Sequence, residues 1–199
     1  MGKSSLLNQY IKKDFSFEYK ATIGADFLTK EVVVEDSVVQ LQLWDTAGTE
    51  RFHSLGRSFY RNAECCILVF DLTEQKSFES IETYRNEFLD TLNPSEPETF
   101  PFVLLGNKSD LEIERKVQES EINKYCESKL NMPYFETSAK DNINVEAAFE
   151  KVSELAFERN RNLADRELYG IIPNRVVLEV TNQQVKHKKC CPLQKIDLN

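Results

Sequence analysis

Two short, continuous apolar runs constrain the fold of this chain more than any other feature. Residues 65–70 (Cys-Cys-Ile-Leu-Val-Phe) and 100–105 (Phe-Pro-Phe-Val-Leu-Leu) have the length and composition of strands buried on both faces of a parallel sheet. Apolar residues recur at helical spacing between and after these runs, and residues 134–137 predict a further short strand. Alternating strands and helices predict an α/β fold: a mostly parallel sheet, helices on both faces, and binding loops at the carboxyl ends of the strands.

Two strands with one apolar face are predicted ahead of these runs, at residues 26–34 and 38–45. The polar turn between them favours an antiparallel hairpin. The second strand ends at Asp45, followed three positions later by Gly48. The carboxylate can hold hydrated Mg²⁺, and the glycine lets a backbone N–H approach a phosphate oxygen. Alone this pattern is weak, because an Asp and a Gly after a strand more often form an ordinary turn.

The amino end of the chain carries the second half of a phosphate-binding loop. Gly2-Lys3-Ser4-Ser5 leads directly into a helical apolar pattern, as in the motif G-x-x-x-x-G-K-[ST]. In that motif the lysine reaches the outer phosphates and the hydroxyl coordinates Mg²⁺. The first half of the motif and the strand before it are missing from this sequence. We therefore expect a truncated amino terminus and a sheet that lacks its first strand.

Two polar motifs that follow predicted strands suit the recognition of guanine. They are Asn107-Lys108-x-Asp110 and Ser138-Ala139-Lys140. The carboxylate of the first motif can accept hydrogen bonds from N1–H and the exocyclic amine of guanine, and the lysine stem can cover the ring. The second motif would place backbone N–H groups near the guanine oxygen. Adenine presents the wrong pattern of donors and acceptors to these groups.

Composition excludes several classes of function. The net charge of −8 argues against a nucleic-acid-binding protein, which needs a clustered basic surface. The five cysteines form neither C-x-x-C pairs nor a disulfide framework, which is typical of a cytoplasmic protein. No run of 18 apolar residues is present to span a membrane.

The ordered set of motifs resembles the small GTPases of the Ras superfamily, and specifically their Rab branch. The resemblance runs from residue 2 to about residue 158. Its Rab-like signatures are Ile23-Gly24-Ala25-Asp26-Phe27, Trp44-Asp45-Thr46-Ala47-Gly48, Glu50-Arg51-Phe52, Phe59-Tyr60-Arg61 and Val69-Phe70-Asp71-Leu72-Thr73. Residues 19–32, 100–108 and 133–140 look most like the late-endosomal and lysosomal Rab subfamily. The resemblance implies a P-loop GTPase domain over residues 1–160 and a hypervariable, mostly disordered tail over 161–199.

This resemblance implies a site for GTP or GDP with Mg²⁺. Lys3 would bind the β- and γ-phosphates, and Gly48 would sense the γ-phosphate. Ser4 and Thr22 would hold Mg²⁺ directly, and Asp45 would hold it through water. These assignments are carried over from the motifs of the family.

The resemblance also implies partners: effector proteins, an exchange factor and a GTPase-activating protein, acting on a monomer. Phe27, Trp44 and Phe59 resemble the aromatic triad by which Rabs present their nucleotide state to effectors, although packing of the switch against the sheet explains them equally well. Phe15 would pack near the guanine. The implied function is a GTP-dependent switch of traffic from the endosome to the lysosome, peripheral on those membranes.

Two departures from the family pattern bear on function. Thr49 occupies the position of the glutamine that orients the attacking water, which predicts slow intrinsic hydrolysis. Cys190 and Cys191 look like the doubly prenylated Rab pair, but eight residues follow them. A non-catalytic, GTPase-like interaction protein with weak or no nucleotide binding therefore stays open as an alternative to the GTPase.

Overall fold

The computed structural model describes residues 1–18, 22, 25–46, 60 and 63–168, except for the side chains of 163–168. Within these residues the helices are α1 (Lys3–Lys12), α2 (Gln75–Glu79), α3 (Ile81–Leu92), α4 (Glu119–Ser128) and α5 (Val145–Leu168). The strands are β1 (Ala25–Val34), β2 (Ser37–Thr46), β3 (Cys66–Asp71), β4 (Phe102–Asn107) and β5 (Tyr134–Thr137). A 3₁₀ helix spans Ser109–Glu114. None of the described helices is both long and apolar enough to cross a membrane.

The strands pair as the hydrophobic pattern predicts. β1 and β2 form the antiparallel hairpin, with Phe27 opposite Trp44 and Asp26 opposite Asp45. β3, β4 and β5 form a parallel sheet in that order. Among the described residues no ladder joins β2 to β3. The predicted α/β class with one antiparallel hairpin is confirmed.

Helices cover both faces of the parallel sheet. Alternate side chains of β4 point to opposite faces, because the side-chain period of a strand is two. Val103 and Leu105 belong to one apolar cluster, which also contains buried residues of α1 and α5. Phe102 and Leu104 belong to a second cluster with buried residues of α3 and α4. All six residues of β4 are buried, and this strand lies between β3 and β5. The loop after its carboxyl end therefore lies in the middle of the edge of the sheet where binding loops are expected.

Two helices differ from the sequence-based expectation. The helical pattern that the sequence predicts between the two apolar runs forms two helices, α2 and α3, which meet at Ser80. The hydroxyl of Ser80 donates to the carbonyl of Lys76 (2.8 Å), and its backbone N–H bonds to the same carbonyl (3.2 Å). α5 continues to Leu168, so residues 161–168, the first part of the tail that the resemblance implies to be mostly disordered, are helical. Arg161 pairs with Glu35 at the hairpin turn (3.1 Å), which holds this part of the helix against the domain. The rest of the tail lies outside the described residues.

Candidate functional site

The amino end of α1 provides a set of free backbone donors. Gly2 caps the helix in the left-handed conformation (φ 85°, ψ 32°), and its carbonyl accepts the first helical hydrogen bond from Leu6 (3.0 Å). The N–H groups of the first turn have no carbonyl partner within the helix and carry its positive dipole end. A β-carbon at Gly2 would lie 2.7 Å from Nδ2 of Asn107, so only glycine fits here. This helix end is a ready anion site.

Lys3, in the first turn of α1, adds a positive charge to that site. Burial lowers the pKa of its amine, and the nearby Asp45 carboxylate offsets part of this shift. A partly desolvated ammonium gains more from an added anion than a solvated one does. The sequence predicts this lysine as a ligand of the outer phosphates, and its position at the helix end suits that role.

The three residues predicted to hold Mg²⁺ meet at one point, although up to 41 positions separate them in the chain. The hydroxyls of Ser4 and Thr22 lie 2.8 Å apart. Ser4 donates a short hydrogen bond to Oδ2 of Asp45, and Thr22 donates to the same oxygen (3.2 Å). Asp45 is the second-last residue of β2 and is only 5% exposed. Two hydroxyls and a carboxylate are the oxygen donors that Mg²⁺ prefers.

The second carboxylate oxygen of Asp45 supports a cation at this point. Oδ1 is buried and has no hydrogen-bond partner among the described residues. A buried, unpartnered carboxylate oxygen is costly, and a metal-bound water donating to it would remove that cost. Within the same residues no cluster of three or more His, Cys, Asp or Glu side chains exists, so this is an oxygen site built largely from hydroxyls. The predicted neighbours Gly48 and Thr49 lie outside the described residues.

The predicted guanine motifs are brought together at the carboxyl ends of β4 and β5. Asn107 is 2% exposed, and its Oδ1 accepts hydrogen bonds from the backbone N–H of Ala139 (3.2 Å) and from Thr137 (3.4 Å). Its Nδ2 donates to the carbonyl of Met1 (2.9 Å). This amide therefore links the phosphate end of the site to the loop after β5.

The side chain of Asp110 contacts the motif that follows β5. Its Oδ1 accepts a hydrogen bond from the hydroxyl of Ser138 (2.7 Å), and its Oδ2 lies 3.8 Å from Nζ of Lys140. These contacts connect the two predicted motifs directly. The carboxylate keeps accepting capacity for an N–H edge such as that of guanine.

Lys108 pairs with a buried acid, Asp71, whose role in the site the sequence did not predict. Its backbone is left-handed (φ 70°, ψ 39°), a conformation that costs energy in a residue with a side chain. Nζ of Lys108 pairs with Oδ2 of Asp71 (2.6 Å), which ends β3 and is 3% exposed. Burial raises the pKa of Asp71, but Lys108 and the hydrogen bonds from Thr73 outweigh it, so the pKa lies below its usual value. Asp71 therefore fixes the position of the lysine stem that is predicted to cover the base. The sequence did carry a signal for Asp71, because an acidic residue stands at the end of an apolar strand there, as it does at Asp45.

Three of the four predicted aromatic residues lie in the described part of the chain. Phe27 and Trp44 pair on the outer face of the hairpin with their rings 4.8 Å apart, and they are 42% and 45% exposed. This exposure favours presentation to a partner over burial against the sheet. Phe15, after α1, is half-buried and meets Phe17 edge-on at 5.1 Å. Phe59 lies outside the described residues, as do Cys190 and Cys191.

Comparison with known proteins gives the family of the chain. The Ras family model matches residues 1–158. The chain is 58% identical to the Ypt/Rab-type GTPase ypt7 of Schizosaccharomyces pombe, over 92% of this chain and 89% of that protein. It is 51% identical to the GTP-binding protein yptV5 of Volvox carteri and 50% identical to the Ras-related protein Rab-7a of Dictyostelium discoideum, each over 96% of this chain and 91% of the relative. The chain therefore belongs to the Ras family, as a Rab-type GTPase that binds GTP and GDP with Mg²⁺ and acts in vesicle traffic.

Proposed function

We propose that the chain is a GTP-dependent switch of traffic from the late endosome to the lysosome, and that its nucleotide is held by the residues assembled above. The observation that carries this proposal is the meeting of Ser4, Thr22 and Asp45 around a buried, unpartnered carboxylate oxygen. The similarity to Rab-7a supports the choice of pathway. The assembled guanine motifs favour the enzyme over a non-catalytic interaction protein, because the Asp110 carboxylate keeps accepting capacity beyond its contacts with Ser138 and Lys140.

Each part of the site has a distinct task in this proposal. The first turn of α1 and Lys3 bind the phosphates. Ser4 and Thr22 ligate Mg²⁺, and Asp45 accepts from water bound to it. When bound, the ion neutralises charge on the β- and γ-phosphates. Asp110 selects guanine by accepting from its N1–H and exocyclic amine.

Hydrolysis in this proposal is slow because of Thr49. A threonine hydroxyl sits on Cβ and falls short of the position that a glutamine carboxamide reaches to orient the attacking water. The loss of one positioning group costs about 3 kcal/mol, or roughly a hundredfold in rate. The population is then biased towards GTP. An activating protein that supplies both an Arg and a Gln in trans would still stimulate hydrolysis.

Single-turnover hydrolysis tests this role of Thr49. We expect Thr49→Gln to hydrolyse bound GTP about a hundredfold faster than the wild type. Thr49→Asn is the matched control: it adds the same amide on a shorter stem, so it should stay at the wild-type rate. A wild type as fast as Thr49→Gln would refute slow intrinsic hydrolysis, and equal gains in both variants would refute the argument from reach.

The exposed pair Phe27 and Trp44 is proposed to present the nucleotide state to effectors, together with Phe59. The pair lies on β1 and β2, whose inward face at Asp45 belongs to the metal site. One strand therefore connects the ion to the outer surface. Trp44→Ala should abolish GTP-dependent binding of a purified Rab effector without changing nucleotide affinity. Binding of the variant at wild-type strength would contradict the assignment.

Membrane attachment is proposed to use Cys190 and Cys191 as prenylation sites, since two chains suffice for stable anchoring. We expect the full chain, expressed in cells with a fluorescent tag at its amino end, to lie on late endosomes, lysosomes or vacuoles. A Cys190→Ser, Cys191→Ser double variant should become diffuse. Mass spectrometry that finds only unmodified cysteines would rule out the anchor, and location on another organelle would rule out the pathway.

A further inference from the structure

A bidentate ion pair lies behind the two loops assigned to the base. Nη1 of Arg115 donates to Oε1 of Glu136 (3.0 Å), and Nη2 donates to Oε2 in a shorter bond. Nε of the same guanidinium donates to Glu112 (3.0 Å), and the hydroxyl of Tyr134 donates to Oε1 of Glu136 (3.0 Å). The two side chains are 16% and 29% exposed. Parallel N–H···O bonds of this kind impose a defined geometry on the groups they join.

The two partners of this pair stand at the ends of the base loops. Arg115 follows the 3₁₀ helix Ser109–Glu114, which begins inside the motif that contains Asp110. Glu136 is the second-last residue of β5, directly before Thr137 and the Ser138-Ala139-Lys140 motif. The pair therefore connects the end of the loop that contains Asp110 to β5, the strand that leads into the Ser138-Ala139-Lys140 loop.

The first loop has little regular structure of its own to fix it. Leu111 interrupts the 3₁₀ helix with φ −101° and ψ 47°, so no continuous helical ladder runs through it. The side chain of Asp110, near the start of this 3₁₀ helix, is 8% exposed, whereas Ile113, near its end, is fully exposed. The loop is held at its base end by Ser138, which donates to Asp110. Its other end is held by the Arg115 ion pair and by backbone hydrogen bonds from Lys116 and Val117 to the carbonyl of Leu72.

We propose that Arg115 is a positioning residue for guanine selectivity, and that its bidentate pair with Glu136 holds the Asp110 carboxylate in register with the loop after β5. Arg115 acts through Asp110 and does not touch the base. The inference rests on the proposed role of Asp110 in accepting the N1–H and the exocyclic amine. Hydrogen bonding to Arg115 lowers the pKa of Glu136, so the pair is ionised at neutral pH. Lysine cannot replace the arginine, because an ammonium lacks the planar fork.

The test compares GDP with IDP, which lacks the exocyclic amine. Fluorescent forms of both nucleotides would be titrated into the full chain with Mg²⁺ present. The wild type should prefer GDP by about tenfold or more, because the amine pairs with a charged acceptor. In Arg115→Gln the GDP affinity should fall about tenfold and the IDP affinity less, so that the preference for GDP shrinks severalfold. The preference of Arg115→Lys for GDP over IDP should lie between those of the wild type and Arg115→Gln. Arg115→Lys also serves as the second variant if Arg115→Gln does not fold.

Lys129→Gln is the matched control. Lys129 also pairs with a glutamate that accepts from a tyrosine, since Glu82 binds Lys129 (2.7 Å) and Tyr125 (2.9 Å) between α3 and α4. Its loss can lower the melting temperature but should leave the preference for GDP unchanged. In addition, the double variant Arg115→Gln, Glu136→Gln should bind GDP as Arg115→Gln does, because the pair is already broken in the single variant.

Three results would overturn the proposal. Arg115 variants that fold and keep the wild-type preference for GDP would show that the pair is only structural. An equal loss of preference in Lys129→Gln would show that any broken ion pair has this effect. A wild type that binds GDP and IDP equally would refute the role of Asp110 itself, and this result is distinguishable because it appears before any substitution.

Discussion

Replacement of Asp45 by asparagine tests the magnesium site at its central residue. Asp45 is 5% exposed; Ser4 and Thr22 donate to its Oδ2, and Oδ1 is left free for the cation and its water. The asparagine oxygen can still accept from both hydroxyls, so the chain should fold. The free oxygen, however, is replaced by an amide that cannot accept a hydrogen bond.

The magnitude follows from the kind of hydrogen bond that is lost. A hydrogen bond to a charged group is worth about 1.5–3 kcal/mol, against about 0.5–1.5 kcal/mol for a neutral pair. Loss of the charge and of the free acceptor should therefore cost about 2 kcal/mol of Mg²⁺ binding, or roughly thirtyfold in affinity. The assay is the release rate of a fluorescent GDP analogue over a series of free Mg²⁺ concentrations, whose midpoint should move up by that factor.

The hairpin offers a matched control for this change. Asp26 lies directly opposite Asp45 in the ladder but is exposed. Within the described part of the chain, its Oδ1 accepts a hydrogen bond from the adjacent N–H of Phe27 (2.9 Å). Asp26→Asn removes the same charge from the same strand pair and should leave the midpoint unchanged. An unshifted midpoint in Asp45→Asn, or equal shifts in both variants, would refute the site.

Two further outcomes are expected. Gly2→Ala should lower the thermal unfolding temperature of the nucleotide-free chain by a few degrees and weaken GDP binding. The reason is that a side chain at positive φ, with its β-carbon 2.7 Å from Nδ2 of Asn107, costs about 1–3 kcal/mol of stability. An unchanged melting curve would contradict this. Glu136→Gln should destabilise the fold at pH 7, where the pair with Arg115 is intact. The folded pKa of Glu136 lies below its ordinary 4.5, so this contribution is present above pH 4.5 and disappears as the pH falls through the folded value; a stability difference from the wild type that persists in acid would contradict the pairing.

Local pattern was enough to predict the strands and the positions of the site loops. Period-two alternation placed β1 and β2 within a residue or two, and continuous apolar runs located β3 and β4. Because parallel strands end at one edge, residues that follow different strands could be expected to meet there. Asn107 and Ala139, 32 positions apart, do so through a hydrogen bond of 3.2 Å from the backbone N–H of Ala139 to Oδ1 of Asn107.

The ion pair between Arg115 and Glu136 left no local signal in the sequence. Arg115 follows a run of acidic residues and looks like part of a solvated charged turn, and its partner Glu136 stands 21 positions away. Likewise, the apolar stripe gives no sign that the helix divides into α2 and α3 at Ser80. Such features depend on which side chains meet after folding, so periodicity and composition do not predict them.

The most direct test of the site as a whole is calorimetric titration of the full chain with GDP and with ADP, each with and without Mg²⁺. The geometry of Asp110, Asn107 and the hydroxyls of Ser4 and Thr22 predicts that GDP binds tightly only with Mg²⁺ and that ADP does not bind. Equal binding of the two nucleotides, or GDP binding that is indifferent to Mg²⁺, would contradict the assignment of these residues to guanine and to the ion.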